Sequence, residues 1–311
     1  MTPVGTVGPK AGILAYNAGA VTLLEISISM KNRELEESIH ADLSRDDDYT
    51  GYLQLDRLLS AQHPLSDPPH HDEMLFIIQH QVAELWIKLV IHEIGGAIRY
   101  LREDRLPQAV KNLARVRHVQ NQLYNMWKVL DTLTPSEYAG FRHVFGKASG
   151  FQSAQYRILE FVLGNKNRKM MAFFQHQPEW HAKLQAALDA PSLYDEFLMH
   201  LARRGMPVPA EILERDFSEL REDDDRVVDV LRSIYEDRSR HWARYETCEA
   251  LMDIANNFQF WRFHHLKTVE RIIGHKKGTG GSSGVSFLKK ALDIEFFTEL
   301  LRVRTEIGTE A

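Results

Sequence analysis

The run Leu251-Met252-Asp253-Ile254-Ala255-Asn256-Asn257-Phe258-Gln259-Phe260-Trp261-Arg262-Phe263-His264-His265-Leu266-Lys267-Thr268-Val269-Glu270-Arg271-Ile272 decides the fold class. Stepping by threes and fours through Leu251, Ile254, Phe258, Trp261, His265, Thr268 and Ile272 gives a largely apolar stripe. The neighbouring steps Ala250, Asp253, Asn257, Phe260, His264, Lys267 and Arg271 read as solvated. That period belongs to a long amphipathic helix, and it turns His265 inward and His264 toward water. Taken alone, an inward histidine is more often a hydrogen-bonded core residue than a ligand.

Working outward, helical periodicity recurs and strand signals are nearly absent, so the chain is expected to be all-α. From His71 to about Glu103 two apolar faces repeat, one through Leu75, Ile78, Val82, Leu85 and Leu89, the other through Phe76, His80, Ala83, Ile87 and Ile91. A helix apolar on two faces should be central, and Pro68-Pro69 marks its start. Another helix is expected from Leu106 to Leu130. Thr134-Pro135-Ser136-Glu137 has the form of a capping box with proline at the first helical position. On the short helix after it, Tyr138, Arg142 and Phe145 share a face. A further helix should run from about Gln152 to Leu163. Residues 166–221, broken by Pro191, Pro207 and Pro209, read as shorter helices in a peripheral excursion. The acidic run Glu222 to Asp225 suits the positive end of a long helix expected to continue to about Ile273. The sequence therefore reads as one helical domain over 41–311, after a loosely held extension over 1–40.

Composition narrows the chemistry. The 311 residues are 44% hydrophobic and 26% charged, the balance of a soluble globular chain. A formal charge of −5, from 43 acidic and 38 basic side chains, gives no encouragement to nucleic-acid or membrane binding. The single cysteine, Cys248, leaves no intrachain disulfide and no cysteine-based metal cluster, and a cytoplasmic location fits. Residues 11–30 carry the one targeting-like stretch, which Asn17 and Glu25 interrupt.

None of the 15 histidines forms a tight metal-ligand pattern such as HExxH. Haem asks less of a sequence, because the porphyrin supplies four nitrogens and the protein need give one axial side chain, a role His265 could fill. His80 reads either as a core imidazole or as a distal-pocket group beside Phe76. Arg142, flanked by Tyr138 and Phe145, is either a snorkelling surface residue or a planar clamp for a carboxylate. Gly278 to Gly284 holds four glycines in seven residues. It lacks the Lys-Ser/Thr of a phosphate loop, and Val285, Phe287 and Leu288 resume a packed helix, so a closing lid whose amides and Thr279 hydroxyl meet an anion is the more informative reading.

At these residues the chain resembles the tryptophan 2,3-dioxygenase family of haem enzymes. The resemblance rests on Tyr49-Thr50-Gly51-Tyr52-Leu53, His71 through Gln81, Ser149-Gly150-Phe151-Gln152-Ser153, Trp261 through His265, and Gly278 through Gly284. It implies an enzyme that uses dioxygen to open the indole C2–C3 bond of L-tryptophan, giving N-formyl-L-kynurenine at the head of tryptophan catabolism by the kynurenine route. It implies haem b, one per subunit and ferrous when active, with His265 as iron ligand and Ser149 among the haem-side residues. It implies His80 as the distal catalytic residue, Phe76, Tyr49, Tyr52 and Leu53 around the indole, and Arg142, Thr279 and Tyr138 at the substrate carboxylate. A homotetramer is implied, in which the segment bearing Tyr49, Tyr52 and Leu53 reaches a neighbour's site.

Two positions depart from the family pattern. Phe145 stands where an aliphatic residue is expected, and Thr298 stands where proline is common, which puts a local helix start in question. Two other functions compete: oxygenation of a modified indole or methyltryptophan in a biosynthetic pathway, where insertion of a single oxygen atom would give a 2-oxindole, and a haem-binding protein without catalysis.

Overall fold

The computed structural model describes residues 36, 38, 39 and 48–308, and the targeting-like stretch lies outside them. All regular elements among the described residues are helical. The chain divides into two units, Met1–Leu59 and Ser60–Ala311. In the first, α1 (Tyr49–Leu53) is capped by Asp48, whose carboxylate accepts from Gly51 N at 2.7 Å, and α2 (Leu55–Leu59) follows Gln54, which takes a left-handed conformation. Tyr49 and Tyr52 are 74% and 80% exposed, too open for core residues.

The second unit is built on three helices: α3 (His71–Arg102), α4 (Leu106–Asn125) and α12 (Trp242–Ile273). α4 packs against both of the others. Ile87, Val90, Ile94 and Leu101 of α3 meet Leu113 and Val116 of α4 and Leu251, Ile254 and Phe258 of α12 in one core. Each such side chain, removed from water, stabilises by about 1.5–3 kcal/mol, which is why the stripe sets the helix orientation. Around them lie α5 (Trp127–Leu130), α6 (Pro135–Phe141), α7 (Ala154–Leu163), α8 (Pro178–Asp189), α9 (Leu193–Arg203), α10 (Ala210–Leu213), α11 (Asp225–Glu236), α13 (Val285–Leu292) and α14 (Thr298–Glu306).

Local chemistry sets the boundaries. α3 begins two residues after Pro69, where His70 Nδ1 accepts from Asp72 N. Thr134 and Glu137 form the expected reciprocal capping box on α6, and a second box, Ser149 with Gln152, starts a short 3-10 turn (Gly150–Gln152). α14 starts at Thr298 without a proline, with the Thr298 hydroxyl bonded to Asp223.

Three expectations need correction. The helix expected to run unbroken from the acidic run to Ile273 is two helices. Asp237 accepts bonds from Ser239 Oγ and Arg240 N, and these local bonds compete with the helix between α11 and α12. The helix over Leu106–Leu130 likewise divides into α4 and α5 at Met126. Within 166–221, α9 is interior rather than peripheral: Leu193, Phe197, Leu198 and Leu201 are fully buried in the main core. Its polar residues are buried in partnership, Glu196 with Arg102 and His200 with Asp104.

α3 is the one described helix long and apolar enough to cross a membrane by length and composition. It carries buried Glu73 and Glu93 and packs on α4, α7 and α9, while Met74, Ile78 and Leu85 remain exposed.

Candidate active site

Two helices bring two imidazoles toward a common space. On α12, His265 is unbonded by protein among the described residues, and burial, with a smaller contribution from nearby His80, pushes its pKa down to about 4. It is therefore a neutral ring. On α3, burial lowers the pKa of His80, partly offset by its bond to Phe76 O and by the Glu84 carboxylate. Because a carbonyl can only accept, His80 Nδ1 carries the proton and donates to Phe76 O at 2.7 Å. Its Nε2 is left with the lone pair. Both rings keep accessible surface although they lie deep enough for burial to hold them uncharged.

Aromatic groups wall this space. Trp127 of α5 lies nearly flat on His265, with centroids 4.8 Å apart and planes 14° apart, and Trp261 sits one helical turn before it at 6.1 Å. α5 is tied to α12 by Thr268 Oγ1, which donates to Asp131 Oδ1 at 2.6 Å. On the other side, Phe76 is 4.1 Å from the His80 ring, 4.6 Å from Phe145 and 5.9 Å from Tyr138.

The indole N–H groups of both Trp127 and Trp261 are buried without a partner among the described residues. Each is the only polar atom of its side chain, so both desolvation costs stand uncompensated, about 1–3 kcal/mol apiece. Two orphaned donors beside an unbonded neutral imidazole mark a place built around something other than protein. No group of three or more His, Cys, Asp or Glu able to hold a metal ion occurs among the described residues. A planar macrocycle taking a single axial nitrogen fits this donor set, and a naked ion needing several ligands does not.

The carboxylate-binding candidates lie on α6 and the glycine-rich loop. At Arg142 the α-helix tightens into a 3-10 turn (Arg142–Phe145). Tyr138 is one turn earlier; burial raises its hydroxyl pKa, and the Arg142 guanidinium partly offsets this. Arg142 donates to the carbonyl of Lys277, and Thr279 Oγ1 donates to Ala148 O at 2.6 Å. The loop is docked rather than trailing. Gly278 N donates to Ser282 O at 3.1 Å and Gly281 N to Gly278 O at 3.0 Å. Gly280 lies against Ser149, where a β-carbon would come within 2.6 Å of the serine Cβ. A cavity of about 480 Å³ opens here, lined by Tyr138, Arg142, Thr279, His143, Lys276 and Ile272 among others.

α6 itself is seated by close approach. A β-carbon on Gly140 would stand 2.7 Å from the His70 ring, so glycine lets α6 bring Tyr138 and Arg142 up to α3. His70 is fixed in turn by Ser66 Oγ, which accepts from His70 N and donates to Glu73.

Of the residues singled out in the sequence, His80, Phe76, Tyr138, Phe145 and His265 border one aromatic-lined region, while Arg142, Thr279 and Ser149 gather at the loop. Tyr49, Tyr52 and Leu53 belong to the first unit. Sequence reading missed Trp127 as the flat neighbour of His265. Trp127 falls within the helix expected over Leu106 to Leu130, but nothing in the sequence points to its stacking partner.

Comparison with known proteins identifies the family. The family model described as tryptophan 2,3-dioxygenase matches residues 34–234 and 227–307. A protein of Kineococcus radiotolerans named tryptophan 2,3-dioxygenase is 58% identical over 277 residues, covering 89% of this chain and 97% of that protein. Proteins of the same name from Arthrobacter sp. strain FB24 and Myxococcus xanthus are 54% and 55% identical. The matches cover 91% and 89% of this chain and 100% and 96% of those proteins. This chain belongs to the tryptophan 2,3-dioxygenase family.

Proposed function

We propose that the chain opens the indole C2–C3 bond of L-tryptophan with dioxygen to give N-formyl-L-kynurenine, using haem b bound through His265. The observation that carries the haem assignment is a half-buried, neutral imidazole with no protein partner among the described residues, flanked by two orphaned indole donors. Haem, when bound and ferrous, supplies the electronic coupling that lets dioxygen react with a closed-shell indole. The remaining tasks fall to side chains.

Arg142 and Thr279 release the carbonyls of Lys277 and Ala148 and take the substrate carboxylate. Charge-assisted bonds of this kind are worth about 1.5–3 kcal/mol each. Tyr138 and Ser149 stand beside these groups. Phe76 confines the indole face and excludes water. His80 Nε2, unprotonated because Nδ1 is committed to Phe76 O, accepts the indole N–H and holds that proton in place while electron density shifts toward C3. Orientation, rather than strong base catalysis, is the protein's main contribution.

The assembly belongs to the same proposal: a homotetramer in which Tyr49, Tyr52 and Leu53 complete a neighbouring subunit's indole pocket, in a cytoplasmic enzyme with residues 41–311 as the catalytic domain. Exposed Tyr49 and Tyr52, and the exposed apolar stripe Met74, Ile78 and Leu85, favour self-association.

The test pairs turnover with cofactor retention. The purified, haem-supplied chain should form N-formylkynurenine from tryptophan, with both oxygen atoms of labelled dioxygen in the product. His265→Ala should emerge without a Soret band at unchanged helical content. One incorporated oxygen atom, or a normal Soret band in that variant, would overturn the reading.

A further inference from the structure

We infer that Phe145 sets the size of the aromatic ring this pocket admits, making the chain selective for unsubstituted tryptophan over tryptophans methylated on the benzo edge. The inference rests on the function proposed above and adds a specificity residue to it. Arg142 to Phe145 is a single 3-10 turn. In that helix residues i and i+3 eclipse, so Phe145 lies on the Arg142 side, about 6 Å along the axis at about 2 Å per residue. A substrate held by its carboxylate at Arg142, with its rings laid along this face, would meet Phe145.

Phe145 cannot easily make room there. It stacks on Phe76 at 4.6 Å with planes 22° apart, meets Phe141 edge-on at 5.6 Å and lies 6.0 Å from Tyr138. Phe76 is itself 4.1 Å from the His80 ring. Moving Phe145 would disturb a series of packed rings that ends at the distal histidine. The side chain is only half-buried, so part of its surface remains for a bound ring to meet. Carbons 5 and 6 of the indole lie farthest from the amino-acid group, and a methyl there needs the space a shorter side chain at 145 would leave.

The experiment compares wild type, Phe145→Leu and Phe145→Met as haem-loaded enzymes on tryptophan, 5-methyltryptophan and 6-methyltryptophan. Dissociation constants are measured in parallel by calorimetry with dioxygen excluded. An apolar site discriminates one methyl by about ten- to two-hundredfold. The ratio of kcat/KM for a methylated substrate to that for tryptophan should therefore rise about tenfold or more in the leucine variant, through KM and the dissociation constant. Methionine, slender and flexible, should move it the same way and covers the case of a poorly folded leucine variant. If wild type turns over tryptophan and the ratios stay put in both variants, Phe145 is not the selecting residue. If wild type does not turn over tryptophan, the functional reading fails and takes this inference with it.

Discussion

The region packed around α9, α11 and α14 and the region around His265 bury polar groups in opposite ways. In the first, every buried charge has a partner. Glu299 is wholly buried, yet it accepts from Arg221, from Tyr194 Oη at 2.8 Å and from Asp224 N at 2.8 Å. Asp195 is paired with Arg215, and Lys166 donates to the carbonyls of Ala187 and Ala190, capping the end of α8. In the second region, His265, Trp127 and Trp261 have no hydrogen bond to protein among the described residues. Other unbonded atoms occur on Gln120, Arg157, Arg215 and Gln259, but each of those side chains is bonded through another atom. Complete satisfaction marks scaffold, and a side chain left with nothing to bond marks a place reserved for a ligand.

The contrast is sharpest at Glu299. Removing one partner of a buried pair strands the other charge at a cost of about 3–5 kcal/mol. Glu299→Ala should lose that much in chemical denaturation, while tryptophan affinity of the fraction that remains folded stays near wild type. A loss below about 1 kcal/mol would mean the network is not the support described here.

Lys166 tests the same region through pH. Burial pulls its pKa from the ordinary 10.5 to about 8, with partial compensation from Asp195. The unfolded chain therefore binds the proton more tightly than the folded one, and this group's contribution is fully present only above about pH 10.5. It is lost as pH falls toward 8, a swing of ~3 kcal/mol. Across that window wild-type stability should rise with pH relative to Lys166→Met, as read from paired denaturation curves. Parallel curves would show that the amine is not penalised by its site.

In the pocket region the expected effects move from stability to binding. Arg142→Met should change the unfolding free energy by less than about 0.5 kcal/mol, since Arg142 lies at the surface of the loop site. It should raise KM for tryptophan about ten- to a hundredfold, through the loss of a charged bond worth about 1.5–3 kcal/mol. An equal effect on a carboxylate-free indole would contradict the clamp. The smallest effect is at the α6 cap: Thr134→Ala should cost about 1 kcal/mol in thermal unfolding. If Tyr138 and Arg142 depend on that helix start, a modest rise in KM will accompany it.

Local signals account for what the sequence disclosed. The α6 capping box, the start of α3 after Pro69 and the inward turn of His265 depend on residues within a few positions of one another. The misread features depend on distant partners. α9 looked peripheral because Asp195, Glu196 and His200 are polar, and only the folded chain supplies Arg215, Arg102 and Asp104 to them. The break between α11 and α12 is the exception, a local one in which Asp237 accepts from Ser239 and Arg240 instead of continuing the helix. The flat contact of Trp127 with His265 joins positions 138 residues apart, and no period in the sequence encodes it.

The carbonyls of Lys277 and Ala148 carry one more consequence. On the function proposed above, these two carbonyls occupy the donors that would take the substrate carboxylate, so they would act as tethered rivals to it. An incoming amino acid gains only the difference between a charged acceptor and a neutral one, which keeps its grip moderate. The same rivalry would run in reverse after ring opening, when the Lys277 and Ala148 carbonyls could take Arg142 and Thr279 back from a product whose carboxylate is unchanged.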